Sequence, residues 1–166
     1  GLCLGMQIAV IEFARHICGL KDANSKEFDE NGNHLVINFM PDQNSAMAKG
    51  GTMRLGSYPC KIREGSIMSR AYKTERHRHR YEFNNDYRER MENAGLLISG
   101  TSPDGRIVET VEIPNNRFFV GVQFHPEFKS RPNRAHPLFL EFIRAALEKQ
   151  SKLPSSKASL TLESIE

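Results

Sequence analysis

Followed by its alternation of apolar and polar positions, the chain has a helical start, a polar and glycine-rich middle, a β-rich stretch and a helical close. Ile8, Ile11, Phe13, Ala14, Ile17 and Cys18 recur at helical spacing, with Glu12, Arg15 and His16 between them. That pattern predicts a helix over 5–18, with Gly19 as its C-cap. Segment 20–34 is polar and reads as a loop. Residues 35–40 form a short apolar run stopped by Pro41, the mark of a strand. Segment 41–56, with Gly50, Gly51 and Gly56, reads as a flexible loop or lid, and a strand is expected at 58–63. From Arg76 to Phe83 the residues alternate. If the run is extended, Arg76, Arg78 and Arg80 share one face and His77, His79, Tyr81 and Phe83 the other. Residues 84–94 read as a short polar helix ended by Gly95.

The clearest β signal spans 96–124. Three runs rich in β-branched and aromatic residues are separated by turn chemistry at Ser102-Pro103-Asp104-Gly105 and Pro114-Asn115-Asn116. The short links predict two consecutive antiparallel hairpins. A helix over 136–149 follows, with Pro137 in its first turn and Leu138, Phe139, Phe142, Ile143, Ala146 and Leu147 on one face. Residues 151–166 carry no sustained period and are expected to be a disordered tail, leaving 1–150 as the domain.

Composition narrows the picture modestly. The 166 residues suit one domain, and 26% charged with 39% apolar residues is ordinary for a globular protein. A net charge of +3 is too small to argue for nucleic acid, and no apolar run approaches the ~18 residues of a membrane span. Cys3, Cys18 and Cys60 are odd in number and irregular in spacing, neither a disulfide framework nor a zinc pattern. A cytoplasmic setting is expected.

The chemistry concentrates at two places. Gly1-Leu2-Cys3-Leu4-Gly5-Met6-Gln7 places a thiol between two glycines at the mouth of a helix. A nucleophile on a tight strand-to-helix turn needs such an arrangement: side chains in place of the glycines are expected to crowd the turn, and the helix N-terminus is expected to favour a thiolate. Downstream, His125 ends an apolar strand, and Glu127 follows two residues on across Pro126. That spacing lets a carboxylate orient an imidazole, so Cys3, His125 and Glu127 form a candidate nucleophile, base and orienter. The His77/His79 pair also has a metal-ligand spacing, and the arginine run could meet phosphate or nucleic acid. A structural strand beside the site is the favoured reading.

The elbow together with Phe124-His125-Pro126-Glu127 resembles the class I glutamine amidotransferases. Asn24-Ser25-Lys26-Glu27-Phe28, Gly50-Gly51-Thr52-Met53-Arg54-Leu55-Gly56 and Glu75-Arg76-His77-Arg78-His79-Arg80-Tyr81-Glu82 narrow the resemblance to the CTP synthase family. It covers about residues 1–150. The link 57–74 is short for the family, and the tail matches nothing in it. The resemblance implies an α/β, flavodoxin-like fold with a central sheet flanked by helices, its N-terminal strands missing from this piece. It further implies that Cys3 forms a glutamyl thioester, that His125 and Glu127 complete the triad, and that the Leu4 N–H serves the oxyanion. Gln7, Glu27 and Arg80 would contact L-glutamine, while Thr52 and Arg54 would belong to a lid linked to GTP, an allosteric activator. No metal or cofactor is implied in this part. ATP, Mg and the conversion of UTP to CTP belong to a synthetase domain of the parent chain, a homotetramer in the intact enzyme. The piece alone is expected to be inactive, lacking part of the oxyanion site. The alternatives are another class I amidotransferase, or a non-catalytic module for assembly or regulation.

Overall fold

The computed structural model describes residues 1–39, 54–70 and 74–151. Thr52, most of the glycine-rich loop and the expected tail beyond Ser151 lie outside the described residues. The first helix, α1 (Leu4–His16), buries Met6, Gln7, Val10, Ile11, Phe13 and Ala14. Gly19 follows at a φ of 70°, a left-handed value that lets the chain fold back toward the helix end. The polar segment after it is not all loop. β1 (Ala23–Ser25) pairs in parallel with β2 (His34–Phe39). Three polar-flanked residues carry no alternation, so pairing rather than pattern makes this strand.

β3 (Arg54–Pro59) begins inside the stretch expected to be a loop, and β4 (Lys61–Ile62) follows after Cys60. The single strand expected at 58–63 is thus two strands in different sheets. β5 (Thr74–His79) pairs antiparallel with β3, Arg54 opposite His79 and Gly56 opposite His77. Along β5 the predicted alternation holds: Glu75, His77 and His79 are buried, while Arg76 and Arg78 are exposed. It breaks at Arg80, where the chain leaves this sheet. β6 (Tyr81–Phe83) then joins β2, and Glu82 and Phe83 are both buried.

After α2 (Arg88–Asn93) come β7 (Leu97–Thr101), β8 (Val108–Glu112) and β9 (Val120–Val122), the two expected hairpins. With β4 they make a four-stranded antiparallel sheet in the order β4-β7-β8-β9. Leu2 extends this sheet by a parallel bridge to Val122. The described strands therefore form sheets of three, two and four, and α1 packs across two of them. Met6, Val10 and Ile11 join Val36, Ile37, Phe83, Ile98, Val108 and Val111 in the main core. Gly121 allows that approach, since a Cβ there would lie 3.0 Å from Val111 and 3.1 Å from Met6.

A second apolar cluster gathers Met68, Val120, Val122, Phe124 and Leu138. Leu138 lies in the first turn of α3 (Pro137–Ser151), whose apolar residues share one face. Only the start of that face is buried; Leu140, Phe142, Ile143 and Leu147 are exposed among the described residues. No described helix is long and apolar enough to cross a membrane.

Candidate active site

Cys3 sits at the junction of the Leu2 bridge and α1. Its φ of 48° and ψ of −108° make it the only non-glycine residue with positive φ among the described residues. A side chain held there costs about 1–3 kcal/mol, the strain expected of a nucleophile turn. The Cys3 N–H donates to Val122 O at 2.7 Å, and the carbonyl of Cys3 accepts from Met6 and Gln7, so sheet and helix grip the turn from both sides.

The two flanking glycines are not equivalent. A Cβ on Gly1 would fall 2.4 Å from the Gly5 carbonyl oxygen, against backbone that cannot yield. A Cβ on Gly5 would meet no heavy atom of the described residues within 4 Å. Crowding therefore accounts for Gly1 only, which corrects the symmetrical expectation. The thiol corrects a second expectation. The helix N-terminus was expected to pull its pKa down; instead burial pushes the thiol above its ordinary value, and Glu82 and Glu127 add to the rise. The Leu4 N–H and the Gln123 amide oppose it without overcoming it. Such a thiol needs a base.

His125 is the candidate. Its Nδ1 lies 2.6 Å from Glu127 Oε1. A carboxylate only accepts, so Nδ1 carries the hydrogen and Nε2 of the neutral ring is bare. Phe128 stacks on the imidazole, centroids 5.1 Å apart, and fixes its plane. β5 ties the two residues together: the His125 N–H donates to Arg76 O at 2.9 Å, and the Cys3 sulfur lies 3.9 Å from Arg78 O. Carbonyls two residues apart on a strand stand about 6.5–7 Å from one another, so one strand edge holds both groups.

Cys3 opens into a cavity of about 320 Å³ lined by Leu4, Gln7, Glu27, Arg78, His79, Arg80 and Tyr81. That is at the small end of ligand pockets, about 300–1,000 Å³, and carries charge of both signs. Glu27 is exposed at its rim and Arg80 half-buried in its wall. Gln7 is nearly inaccessible, and its amide nitrogen donates to Tyr81 O at 3.0 Å and to Gln123 Oε1 at 3.2 Å. With both donors committed, Gln7 can offer a ligand only its carbonyl oxygen. Arg54 does not line this cavity: its guanidinium is buried, 2.5 Å from Glu109 and over the Tyr58 ring.

His77 and His79 turn inward. His77 Nδ1 lies 2.9 Å from His79 Nε2, with Glu109 beside His77 and Glu82 beside His79. No group of three or more described His, Cys, Asp or Glu side chains could hold a metal ion. Gln123 was given no role by the sequence reading. Its side chain is fully buried, and its amide nitrogen lies 3.6 Å from the Cys3 sulfur. The available signal was a polar residue inside the apolar run Val120-Gly121-Val122-Gln123-Phe124.

Comparison with known proteins places this geometry. The family profile described as "Glutamine amidotransferase class-I" matches residues 1–145. A CTP synthase of Syntrophus aciditrophicus is 59% identical over 156 residues, 92% of this chain and 29% of that protein. One from Carboxydothermus hydrogenoformans is 62% identical over 152 residues, 89% of this chain and 28% of that protein. The chain thus spans under a third of these curated relatives. A solved structure, "Trypanosoma brucei CTPS - glutaminase domain with bound acivicin", superposes with a TM-score of 0.81 at 44% identity. The match covers 89% of this chain and 59% of that one.

Proposed function

The chain belongs to the class I glutamine amidotransferase family, and on that premise we propose that, as part of its parent chain, it hydrolyses L-glutamine and delivers the ammonia to the amination of UTP. The observation that carries the reading is the pairing of a strained elbow cysteine with an imidazole whose Nδ1 is held by Glu127, both on one edge of β5. In the proposed sequence, His125 Nε2 takes the Cys3 thiol proton and the sulfur attacks the side-chain amide carbon. The Leu4 N–H, which faces the sulfur, stabilises the developing oxyanion. Collapse breaks the C–N bond, the His125 proton leaves with the nitrogen as ammonia, and a glutamyl thioester remains. A water deprotonated by His125 cleaves the thioester to glutamate and restores the thiol.

The pocket suits a ligand of this kind. Glu27 at the rim and the Gln7 carbonyl favour the α-ammonium, and Arg80 favours the α-carboxylate. Ammonia then passes to a synthetase domain of the parent chain, where ATP and Mg activate UTP. GTP stimulates the glutaminase through Thr52 and Arg54, and the intact enzyme works in the cytoplasm as a homotetramer. The similarity to CTP synthases supports these finer assignments.

The test uses the full-length protein and glutamine labelled with 15N in its amide. Label is expected in CTP when ATP and UTP are present. Cys3→Ala is expected to abolish glutamine-dependent CTP formation and to leave formation from added ammonium salts intact. Wild-type glutamine use by Cys3→Ala would overturn the reading.

A further inference from the structure

Three amides in series run from the backbone of β6 to the nucleophile. The Tyr81 carbonyl can only accept, so the Gln7 amide must turn its NH2 toward it, at 3.0 Å. The same nitrogen donates to Gln123 Oε1 at 3.2 Å. Gln123 is thereby oriented: were its amide reversed, two NH2 groups would face each other and a carbonyl oxygen would face the sulfur. Its NH2 points instead at Cys3 Sγ, 3.6 Å away. Both glutamine side chains are almost wholly removed from water, 3% and 0% exposed, so no solvent competes for these bonds. The Gln123 backbone is also held, its N–H donating to Glu109 O at 2.8 Å. A buried polar pair in an apolar strand and helix face is costly unless every bond is made, and here the bonds converge on the reacting atom.

We propose that Gln123 is a catalytic residue that donates a hydrogen bond to the Cys3 sulfur and stabilises its thiolate, and that Gln7 is the positioning residue that fixes the direction of the Gln123 amide. The bond strengthens as the sulfur gains charge during proton transfer to His125, and it is available again when the thioester breaks and the sulfur leaves. It opposes the groups that disfavour the thiolate. Burial raises the thiol pKa, as do Glu82 from β6 and Glu127 from the turn after β9, while the Leu4 N–H acts with Gln123 to lower it. Arg78, His79, Arg80 and Glu27 line the same cavity and are unchanged in the variants below.

The role rests on Cys3 being the nucleophile, but its test does not require glutamine turnover. Alkylation of Cys3 by iodoacetamide is followed across pH in the full-length protein by peptide-resolved mass spectrometry. Cys60, whose pKa is pushed up to about 12, serves as a slow internal reference. Gln123→Met removes the donor and leaves Gln7 its bond to Tyr81. It is expected to slow Cys3 alkylation at neutral pH on the order of tenfold and to move the midpoint upward by about one unit. Gln123→Glu, once ionised, still accepts from Gln7 but has no hydrogen for the sulfur, and it is expected to raise the midpoint at least as far. Gln7→Met, which does not touch the sulfur, is expected to shift the profile in the same direction by a smaller amount.

A purely structural glutamine pair predicts that folded Gln123→Met keeps the wild-type midpoint, and an unchanged midpoint in that variant overturns the proposal. Should Gln123→Met not fold, Gln123→Leu, which also lacks the donor and adds no charge, decides in its place. A wild-type protein that does not hydrolyse glutamine yet shows the Gln123-dependent shift would sink the glutaminase reading and leave this one standing. Hydrolysis without the shift would do the reverse.

Discussion

At the scale of single residues, the roles turn on which atom carries a hydrogen. Glu127 accepts from His125 Nδ1 and leaves Nε2 bare. Glu127→Gln keeps the shape but can present an N–H to Nδ1, which favours the tautomer with hydrogen on Nε2. By the logic of triad enzymes, kcat for ammonia release from glutamine is expected to fall on the order of 10³–10⁴-fold with KM little changed. A loss below about tenfold would mean that Phe128 stacking alone sets the ring. The His125–Glu127 contact was legible in the sequence because its partners are two residues apart and Pro126 stiffens the link. Gln123 was not, because its partner Cys3 lies 120 residues away and is met only through the pairing of Leu2 with Val122. The thiol's direction of shift was misjudged for a related reason. A helix N-terminus can be read from the local sequence, whereas the burial that outweighs it is a property of the assembled cleft.

At the scale of elements, β5 has two occupations. Its carbonyls hold His125 and face Cys3, and its buried side chains anchor it from the other side. Glu75 meets His136 at 2.9 Å, His77 lies 3.4 Å from Glu109, and Arg54 of β3 reaches Glu109 as well. Two of these groups titrate in opposition. Burial, aided by Arg54 and His79, lowers His77 from 6.5 to about 2. Its contribution to stability is therefore complete above pH 6.5 and is lost as pH falls, since the unfolded chain binds a proton that the folded one refuses. Burial raises Glu109 from 4.5 to about 7, against the pull of Arg54, so its contribution is complete below 4.5 and is lost as pH rises. Between about pH 4.5 and 6.5 the two slopes cancel. Glu109→Gln is expected to make stability climb with pH relative to wild type across that window, and His77→Gln to make it decline. Each slope approaches about 1.4 kcal/mol per pH unit at most. Urea unfolding at several pH values reads both, and parallel curves for wild type and variants would refute the coupling. The alternation of the arginine and histidine run predicted which side chains of β5 share a face. It could not predict that Arg80 ends the strand, because the exchange of sheets there is made by β6 pairing with β2.

For the whole molecule, the hairpins β7–β8–β9 and both long helices were readable, because adjacent runs with short turns must pair locally and a 3.6-residue period needs no partner to be seen. The division into three sheets was not, since β1 with β2 and β3 with β5 are joined by registers that no local pattern encodes. The exposure of α3 was not readable on the same ground: periodicity reports that a face is apolar, not what covers it. Among the described residues Phe142, Ile143 and Leu147 stand 54%, 53% and 59% exposed, and Leu4 and Ile8 on α1 are 47% and 46% exposed. Scattered apolar residues on a surface are ordinary, but neighbouring turns of one helix that share an exposed apolar face favour association. The 166-residue chain on its own is therefore expected to self-associate in a concentration-dependent way, read by sedimentation velocity. Ile143→Lys with Leu147→Lys is expected to shift that equilibrium toward monomer while changing the unfolding free energy by less than about 0.5 kcal/mol per site, the usual range for exposed positions. If these changes instead destabilise the fold by several kcal/mol, the α3 face is packed in solution.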